Sequence, residues 1–304
     1  MRKALVTGAN GFVGSALVKN LVGKGVQVLA LDLEGHNDNL PTSELVRFVG
    51  FELSRSAEIK ELIADRDIDV FYHFAWVGSA GAARANTQLQ LNNAQWCIDC
   101  LRVAKDIGCK RFVSAGSIME HETIFAAYKQ GNKPGLGYVY GSGKLVAHTM
   151  AMSVAAGMGI DLVWAKITNA YGAGELSPRF VNTTLRRIIN DEPLTFTSGV
   201  QNYDFVYIDD VAEAFYCIGE KGKPFHNYII GSSNARPLKE FILDIKDAIA
   251  PEKDFVFGDV PFTGVNMPLD TFDTSLTEQD TGFKASISFK EGVKRTYEWL
   301  KEIK

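Results

Sequence analysis

Ala4-Leu5-Val6-Thr7-Gly8-Ala9-Asn10-Gly11-Phe12-Val13-Gly14 is the stretch that decides the fold of this chain. A short apolar strand runs into three glycines spaced three apart, and Ser15-Ala16-Leu17-Val18-Lys19-Asn20-Leu21 follows with helical periodicity. Such a backbone approaches a pyrophosphate closely. Gly8 allows the tight turn, Gly11 removes a Cβ that would touch the phosphates, and Gly14 lets the helix lie against the strand. The helix N-terminus adds free N–H groups and a partial positive charge, with Asn10, Phe12 and Val13 expected beside the anion. Glycines alone are common in turns. The strand before them, the helix after them and Asp32 at the end of the next strand make a dinucleotide signature.

Outward from that turn, strands are predicted over 3–7, 26–31, 46–51, 70–74, 111–114 and 161–167. Helices are predicted between them over 11–23, 57–64, 87–107 and 140–157. The alternation predicts an α/β protein with a Rossmann-type doubly wound parallel sheet, covered on both faces. After 167 the rhythm breaks. A loop over 169–178, a helix over 180–190 and a short strand over 194–196 are followed by strands at 203–207 and 228–230 that return the chain to the sheet. Helices over 238–250 and 289–301 flank an irregular region at 251–275. The expected division is an NAD-binding domain of residues 1–168 and 204–233, with a smaller substrate-binding lobe of 169–203 and 234–304. That lobe would lie over the C-terminal edge of the sheet, where open parallel sheets bind ligands.

The 304 residues, 46% hydrophobic and 22% charged, have the composition of a soluble globular protein. A net charge of −4 with no Lys/Arg-rich run gives no footprint for nucleic acid. No apolar stretch approaches the ~20 residues of a membrane span. The first strand at Ala4 leaves no room for a signal peptide, and the expected location is cytoplasmic. Cys97 and Cys100 form a C-x-x-C inside a helical run, without a glycine turn or a second ligand pair, and read as packing thiols rather than a metal or redox site.

Asp32 stands about 20 residues after the glycine turn, where a carboxylate accepts from an adenosine ribose hydroxyl. It would repel a 2′-phosphate, and no Arg or Lys follows in Leu33-Glu34-Gly35-His36-Asn37. NAD is therefore expected rather than NADP. Glu52 and Leu53, after the third strand, are placed near the adenine, and Phe74 and Ala75 near the cofactor.

Tyr140-Gly141-Ser142-Gly143-Lys144 is the second informative stretch. Residues four apart on a helix share a face, so Tyr140 and Lys144 meet one ligand. A phenol has an unperturbed pKa of ~10, and a nearby ammonium lowers it. The pair then takes a proton from a carbinol or gives one to a carbonyl. Ser117 is placed to hydrogen-bond the same oxygen. Two glycines inside a helix cost ~1 kcal/mol each relative to alanine, which points to tight packing against this turn.

With these residues in order, the chain resembles an extended short-chain dehydrogenase/reductase of the NAD-dependent epimerase/dehydratase family, whose members modify nucleotide sugars. The resemblance covers essentially the whole length. It rests on residues 7–14, Asp32, His73-Phe74-Ala75, Asn92, Ser117, Tyr140/Lys144, Asn169-Ala170-Tyr171-Gly172 and the run Asp204–Val211. It implies that Tyr140 is the acid/base, that Lys144 binds the nicotinamide ribose and lowers the Tyr140 pKa, and that Ser117 orients the substrate oxygen. It further implies a structural and proton-relay role for Asn92 and contact of Asn169 with the sugar or diphosphate. Many such proteins form homodimers through the long helix and the Tyr/Lys helix.

Departures from the family pattern narrow the reaction. Where water-eliminating members carry an Asp-Glu pair after the Ser/Thr position, this chain has Ile118 and Met119, so a 4,6-dehydratase is not expected. Glu120 and His121 read as a polar loop at the site mouth, with His121 a candidate for substrate contact. Tyr203 replaces an Arg that pairs with a substrate phosphate. The phosphates then rely on Arg179, Arg186, Arg187 or Arg236, of which Arg179 is best placed. Trp76 replaces a small residue and implies a tighter or apolar sugar pocket. The expected activity is a nucleotide-sugar epimerase working by hydride transfer at sugar C4. The alternatives are a reductase of a 4-keto nucleotide sugar or small ketone, and a catalytically silent dinucleotide sensor.

Overall fold

The computed structural model describes residues 1–303. Its centre is a sheet of seven parallel strands. β1 (Lys3–Thr7), β2 (Gln27–Asp32), β3 (Val46–Gly50), β4 (Val70–His73), β5 (Arg111–Ser117), β6 (Asp161–Ile167) and the strand Asn227–Ile230 lie in it. In space β3, β2, β1, β4, β5 and β6 follow one another, and Asn227–Ile230 closes the far edge beside β6. The order reverses between β1 and β4, and that switch point opens a crevice at the C-terminal ends of the strands.

Alternation along the strands explains the two covered faces. Val6, Ala30, Tyr72, Val113 and Ala165 point to one side, where they pack with Leu17, Leu21, Val211 and Phe215 from α1 (Phe12–Gly23) and α7 (Ile208–Lys221). Leu5, Leu31, Phe71, Phe112 and Trp164 point to the other, against Cys97, Leu101, Ala147 and Ala151 from α3 (Thr87–Asp106) and α5 (Tyr138–Met158). Cys97 and Cys100 are buried there, with the Cys97 thiol pushed up to about 12 by burial, as packing thiols require.

Three elements depart from the sequence reading. Helix α2 is only Ile59–Leu62, preceded by a 3-10 turn at Leu53–Glu58. Helix α4, Met119–Tyr128, forms where no element is expected. The predicted strand 203–207 splits, and neither half joins the main sheet. Asn202–Tyr203 pairs with Arg236–Pro237, and Val206–Tyr207 pairs with Ala170–Tyr171. Only Asn227–Ile230 returns to the main sheet.

The C-terminal part is built on α6 (Phe180–Ile189), α8 (Leu238–Ile249), α9 (Ser275–Thr281) and α10 (Phe289–Glu302). Its aromatic centre of Tyr171, Phe205, Phe241 and Phe289 is continuous with the α1/α7 core. Asp204 and Asp210 fasten it. Buried Asp204 accepts from Thr168 Oγ1 at 2.8 Å, from the Ser232 N–H at 2.9 Å and from the Ser232 hydroxyl. Asp210 accepts from the Ser286 and Ile287 N–H groups at 3.1 and 2.9 Å. Among the described residues no helix is long and apolar enough to cross a membrane, and no group of three or more His, Cys, Asp or Glu side chains is arranged to hold a metal.

Candidate active site

The glycine turn closes as its spacing requires. Gly8 has φ +69°, and a Cβ there would lie 2.7 Å from the Ala75 nitrogen, so β1 and β4 meet only because the side chain is missing. Asp32 holds the turn from the next strand: its carboxylate accepts from the Asn10 N–H at 2.7 Å and the Leu33 N–H at 2.8 Å. Gly8, Asn10, Gly11, Phe12, Val13, Gly14, Asp32, Leu53, Phe74 and Ala75 all line one cleft of about 580 Å³. Leu33, His36 and Phe51 complete its Asp32 end, where no lysine or arginine contributes. Glu52 does not line it.

The other end of that cleft is formed by Trp76, Ser117, Tyr140, Lys144 and Arg179. β5 delivers Ser117 at its last residue, and α5 delivers Tyr140 and Lys144 from its first turns. Both glycines between them pack tightly. A Cβ on Gly141 would lie 2.6 Å from the Met119 carbonyl oxygen, and one on Gly143 would lie 2.9 Å from Gln90 Cβ. The predicted close approach is therefore to α4 and α3.

Lys144 is oriented differently from the expectation. Its Nζ donates to the Ala115 carbonyl at 2.8 Å and sits 3.8 Å from the centre of the Trp76 ring. Burial lowers its pKa to about 8. Burial likewise pushes the Tyr140 phenol above its ordinary value. The groups that oppose this are the Arg179 and Arg84 guanidiniums and hydrogen bonding from Ser117. The cations acting on Tyr140 are thus the two arginines, with Arg84 stacked 4.6 Å from the ring centre. Trp76 stands edge-on to Tyr140 at 6.1 Å, held by a 2.8 Å hydrogen bond from its indole N–H to Gln90 Oε1.

A second cavity of about 270 Å³ adjoins the first and shares Ser79, Ala80, Ala170, Ser177 and Arg179 with it. Asn169 and Tyr203 line it, as do Arg84 and Glu122. The Asn169 amide donates to the Asp204 carbonyl at 2.9 Å, and Tyr203 stacks on Phe205 at 5.7 Å. Burial raises the Tyr203 phenol to about 12.

Several expected residues lie elsewhere. Asn92 is on the outer side of α3, where it accepts from Gln88 at 2.9 Å. Its neighbour Asn93 is the buried one, bonded to the Val77 N–H and C=O at 2.9 and 2.8 Å. Successive residues on a helix point about 100° apart, so one step in register moves the amide from solvent to core. Glu120 is no loop residue at the mouth. It is buried in the first turn of α4 and accepts from the Ser117 N–H at 2.9 Å and the Trp164 indole N–H at 3.0 Å, with His148 Nδ1 at 2.8 Å. His121 meets Lys166 Nζ at 3.1 Å and lines neither cavity. Arg236 packs over Phe241 and pairs with Asp244 and Glu240, and Arg186 donates to Asn182. Of the four arginines considered for phosphates, only Arg179 reaches a cavity, paired with Glu175 at 3.1 Å. Arg84 was not anticipated. Its signal was a lone charge in Gly78-Ser79-Ala80-Gly81-Ala82-Ala83-Arg84, the loop leaving the C-terminal end of β4.

The model of the NAD dependent epimerase/dehydratase family matches residues 4–231. UDP-glucuronic acid decarboxylase 1 of Arabidopsis thaliana is 27% identical over 96% of this chain, which spans 68% of that protein's length. The dTDP-4-dehydro-6-deoxyglucose reductase of Escherichia coli is 22% identical, covering 95% of this chain and 94% of its own. A UDP-N-acetylglucosamine 4-epimerase from Methanobrevibacter ruminantium, solved with UDP-N-acetylmuramic acid, superposes with a TM-score of 0.83 at 20% identity, over 100% of this chain and 99% of that one. The glycine turn, Asp32, the reversal of strand order beside it and the family match over three quarters of the chain agree: this protein belongs to the NAD-dependent epimerase/dehydratase family.

Proposed function

We propose that this protein is an NAD-dependent 4-epimerase of nucleotide sugars, with Tyr140, Ser117 and Lys144 as its catalytic residues. Continuity of the cleft carries this reading. One trough runs from Asp32 along the glycine turn to Tyr140 and opens through Ala80 and Arg179 into the second cavity. We read the first part as the dinucleotide site and the second as part of the sugar-nucleotide site. Residues 1–168 and 204–233 then hold the cofactor, and 169–203 and 234–304 hold the substrate.

NAD, held along the glycine turn and Asp32, would supply reversible hydride transfer at the sugar carbon. Tyr140 takes the proton of the C4 hydroxyl as that carbon becomes a ketone, and gives it back on reduction. Ser117 hydrogen-bonds the same oxygen as charge develops. Lys144, fixed by the Ala115 carbonyl and the Trp76 ring, orients the cofactor ribose rather than pairing with the phenol. Asp32 accepts from the adenosine ribose, and the absence of lysine and arginine from that end disfavours a 2′-phosphate. Asn169, Tyr203, Trp76 and Arg179 face the substrate, and Asn93 takes the structural role assigned to Asn92. Elimination of water lacks an acid–base pair: Ile118 packs against Met267 and Phe272, Met119 offers a thioether, and Glu120 faces His148. The exposed Leu91 on α3 and Met150 on α5 support a homodimer through those helices.

The test is a panel of UDP-, GDP-, CDP- and dTDP-sugars incubated without added cofactor. Conversion of one of them to its 4-epimer is expected, with NAD released on denaturation and identified by mass spectrometry. A second reading, reduction of a 4-keto nucleotide sugar, draws on the similarity to the Escherichia coli reductase and predicts stoichiometric NAD(P)H consumption instead. No conversion and no consumption would refute both.

A further inference from the structure

We propose that Arg84, with Arg179 beside it, receives an anionic group of the substrate against the face of Tyr140. The inference rests on the reading of the second cavity as the sugar-nucleotide site.

Arg84 lies in the 3-10 turn Gly81–Ala85, between β4 and α3. That turn is braced: the Gln90 amide donates to the Gly78 and Ala83 carbonyls at 3.1 and 3.2 Å, and Asn86 caps α3 by accepting from the Leu89 N–H at 3.0 Å. The same Gln90 holds Trp76, so one side chain joins the turn to the aromatic wall of the site. A guanidinium presented from such a turn is pre-organised.

Its own environment satisfies it incompletely: Glu122 acts on its charge through space without forming an ion pair. The Arg84 Nε is buried without a hydrogen-bond partner, and among the described residues no carboxylate forms an ion pair with it. An unmade hydrogen bond at a buried polar group is costly, and a ligand oxygen would relieve it. Glu122 is the one carboxyl group lining the second cavity, and it already accepts from the Tyr138 hydroxyl at 3.0 Å. Arg179 contributes a second guanidinium to the wall, held to Glu175 through its Nε. The cavity therefore presents two planar cations and one occupied carboxyl. Guanidinium forks match carboxylate and phosphate oxygens two at a time, which suits an anion shared between Arg84 and Arg179.

With the guanidinium carbon 4.6 Å from the Tyr140 ring centre, the group it binds lies where the second cavity meets Tyr140. A nucleotide sugar carries two kinds of anion: the diphosphate and, in some, a carboxylate on the sugar ring. Each presents two oxygens to a guanidinium fork, and the experiment separates them.

Arg84→Gln and Arg84→Lys are compared with the unmodified protein, each with its NAD content and thermal midpoint recorded. UDP, UDP-glucose and UDP-glucuronic acid are the probes, bound by calorimetry and, where turned over, followed by steady-state kinetics. Arg84→Gln is expected to weaken binding by about ten-fold or more with NAD content unchanged, and Arg84→Lys to recover part of it. Equal loss for all three probes assigns the diphosphate; loss confined to UDP-glucuronic acid assigns a sugar carboxylate. Affinities within about two-fold of the unmodified protein for every probe overturn the proposal, as does a failure of the unmodified protein to bind these probes or any UDP-, GDP-, CDP- or dTDP-sugar of the panel. Binding that depends on Arg84 without turnover of any sugar in the panel upholds the anion site while refuting the epimerase reading.

Discussion

The ammonium of Lys144 lies 3.8 Å from the centre of the Trp76 indole, and its hydrogen bond goes to the Ala115 carbonyl, not to Tyr140. A buried lysine without a carboxylate partner is held by a ring face and a peptide dipole. Burial brings its pKa down to about 8, against 10.5 in an unfolded chain.

That displacement makes stability depend on pH with a definite sign. Between pH ~8 and ~10.5 the unfolded chain carries a proton at this position that the folded protein has released. Stability contributed by Lys144 therefore rises with pH across that window, by at most about 1.4 kcal/mol per pH unit. Below pH ~8 both states are protonated and the burial penalty is constant. Denaturant unfolding of cofactor-free Lys144→Met from pH 7 to 10 should lack this rise, so the unmodified protein gains stability relative to the variant as pH increases. A parallel pair of profiles would show that Lys144 is not desolvated.

Glu120 supports Ser117 from beneath. Its carboxylate joins the Ser117 N–H, the Trp164 indole N–H and His148, and the His148 ring stacks on Trp164 with centres 4.6 Å apart. Glu120→Ala strands three buried partners and should cost about 3–5 kcal/mol in chemical denaturation, whereas Glu120→Gln, which keeps an acceptor, should cost less. With Ser117 freed, turnover should also fall in Glu120→Ala while NAD content is retained, and Glu120→Gln should keep more of it. Unchanged stability in Glu120→Ala would contradict the buried network.

How far these groups were legible depends on the range of the interaction. The glycine turn, Asp32, Ser117, Tyr140 and Lys144 sit at strand ends or one helical turn apart, and local pattern places all of them on one cleft. Glu120 looks like a solvated loop acid because its partners, His148 and Trp164, come from other elements. Asn92 and Asn93 are adjacent amides on one helix, and only packing against Val77 decides which is inside. Arg84 sits in a run of small residues without periodicity, so nothing local distinguishes it from a surface charge. The fastening of the C-terminal part by Asp204 and Asp210 is equally long-range, although both aspartates belong to a recognisable run.

Asp32, proposed to select the cofactor, also holds the Asn10 N–H at 2.7 Å. Asp32→Ala should weaken NAD binding by about ten- to a hundred-fold, the loss expected for a charged hydrogen-bond acceptor. NADP binding should weaken less, because the same change removes repulsion of a 2′-phosphate. Calorimetry with both dinucleotides reads the two effects separately. Equal loss for both would leave Asp32 a turn-holding residue only.

The most direct test of the whole account follows a deuterium label at C4 of the nucleotide sugar that the protein converts, in ordinary water without added cofactor. The account predicts that the 4-epimer retains the label at C4, and that Tyr140→Phe keeps its NAD while turnover drops by about 10²–10⁴-fold. Loss of the label to free reduced cofactor, or undiminished turnover in Tyr140→Phe, would contradict it.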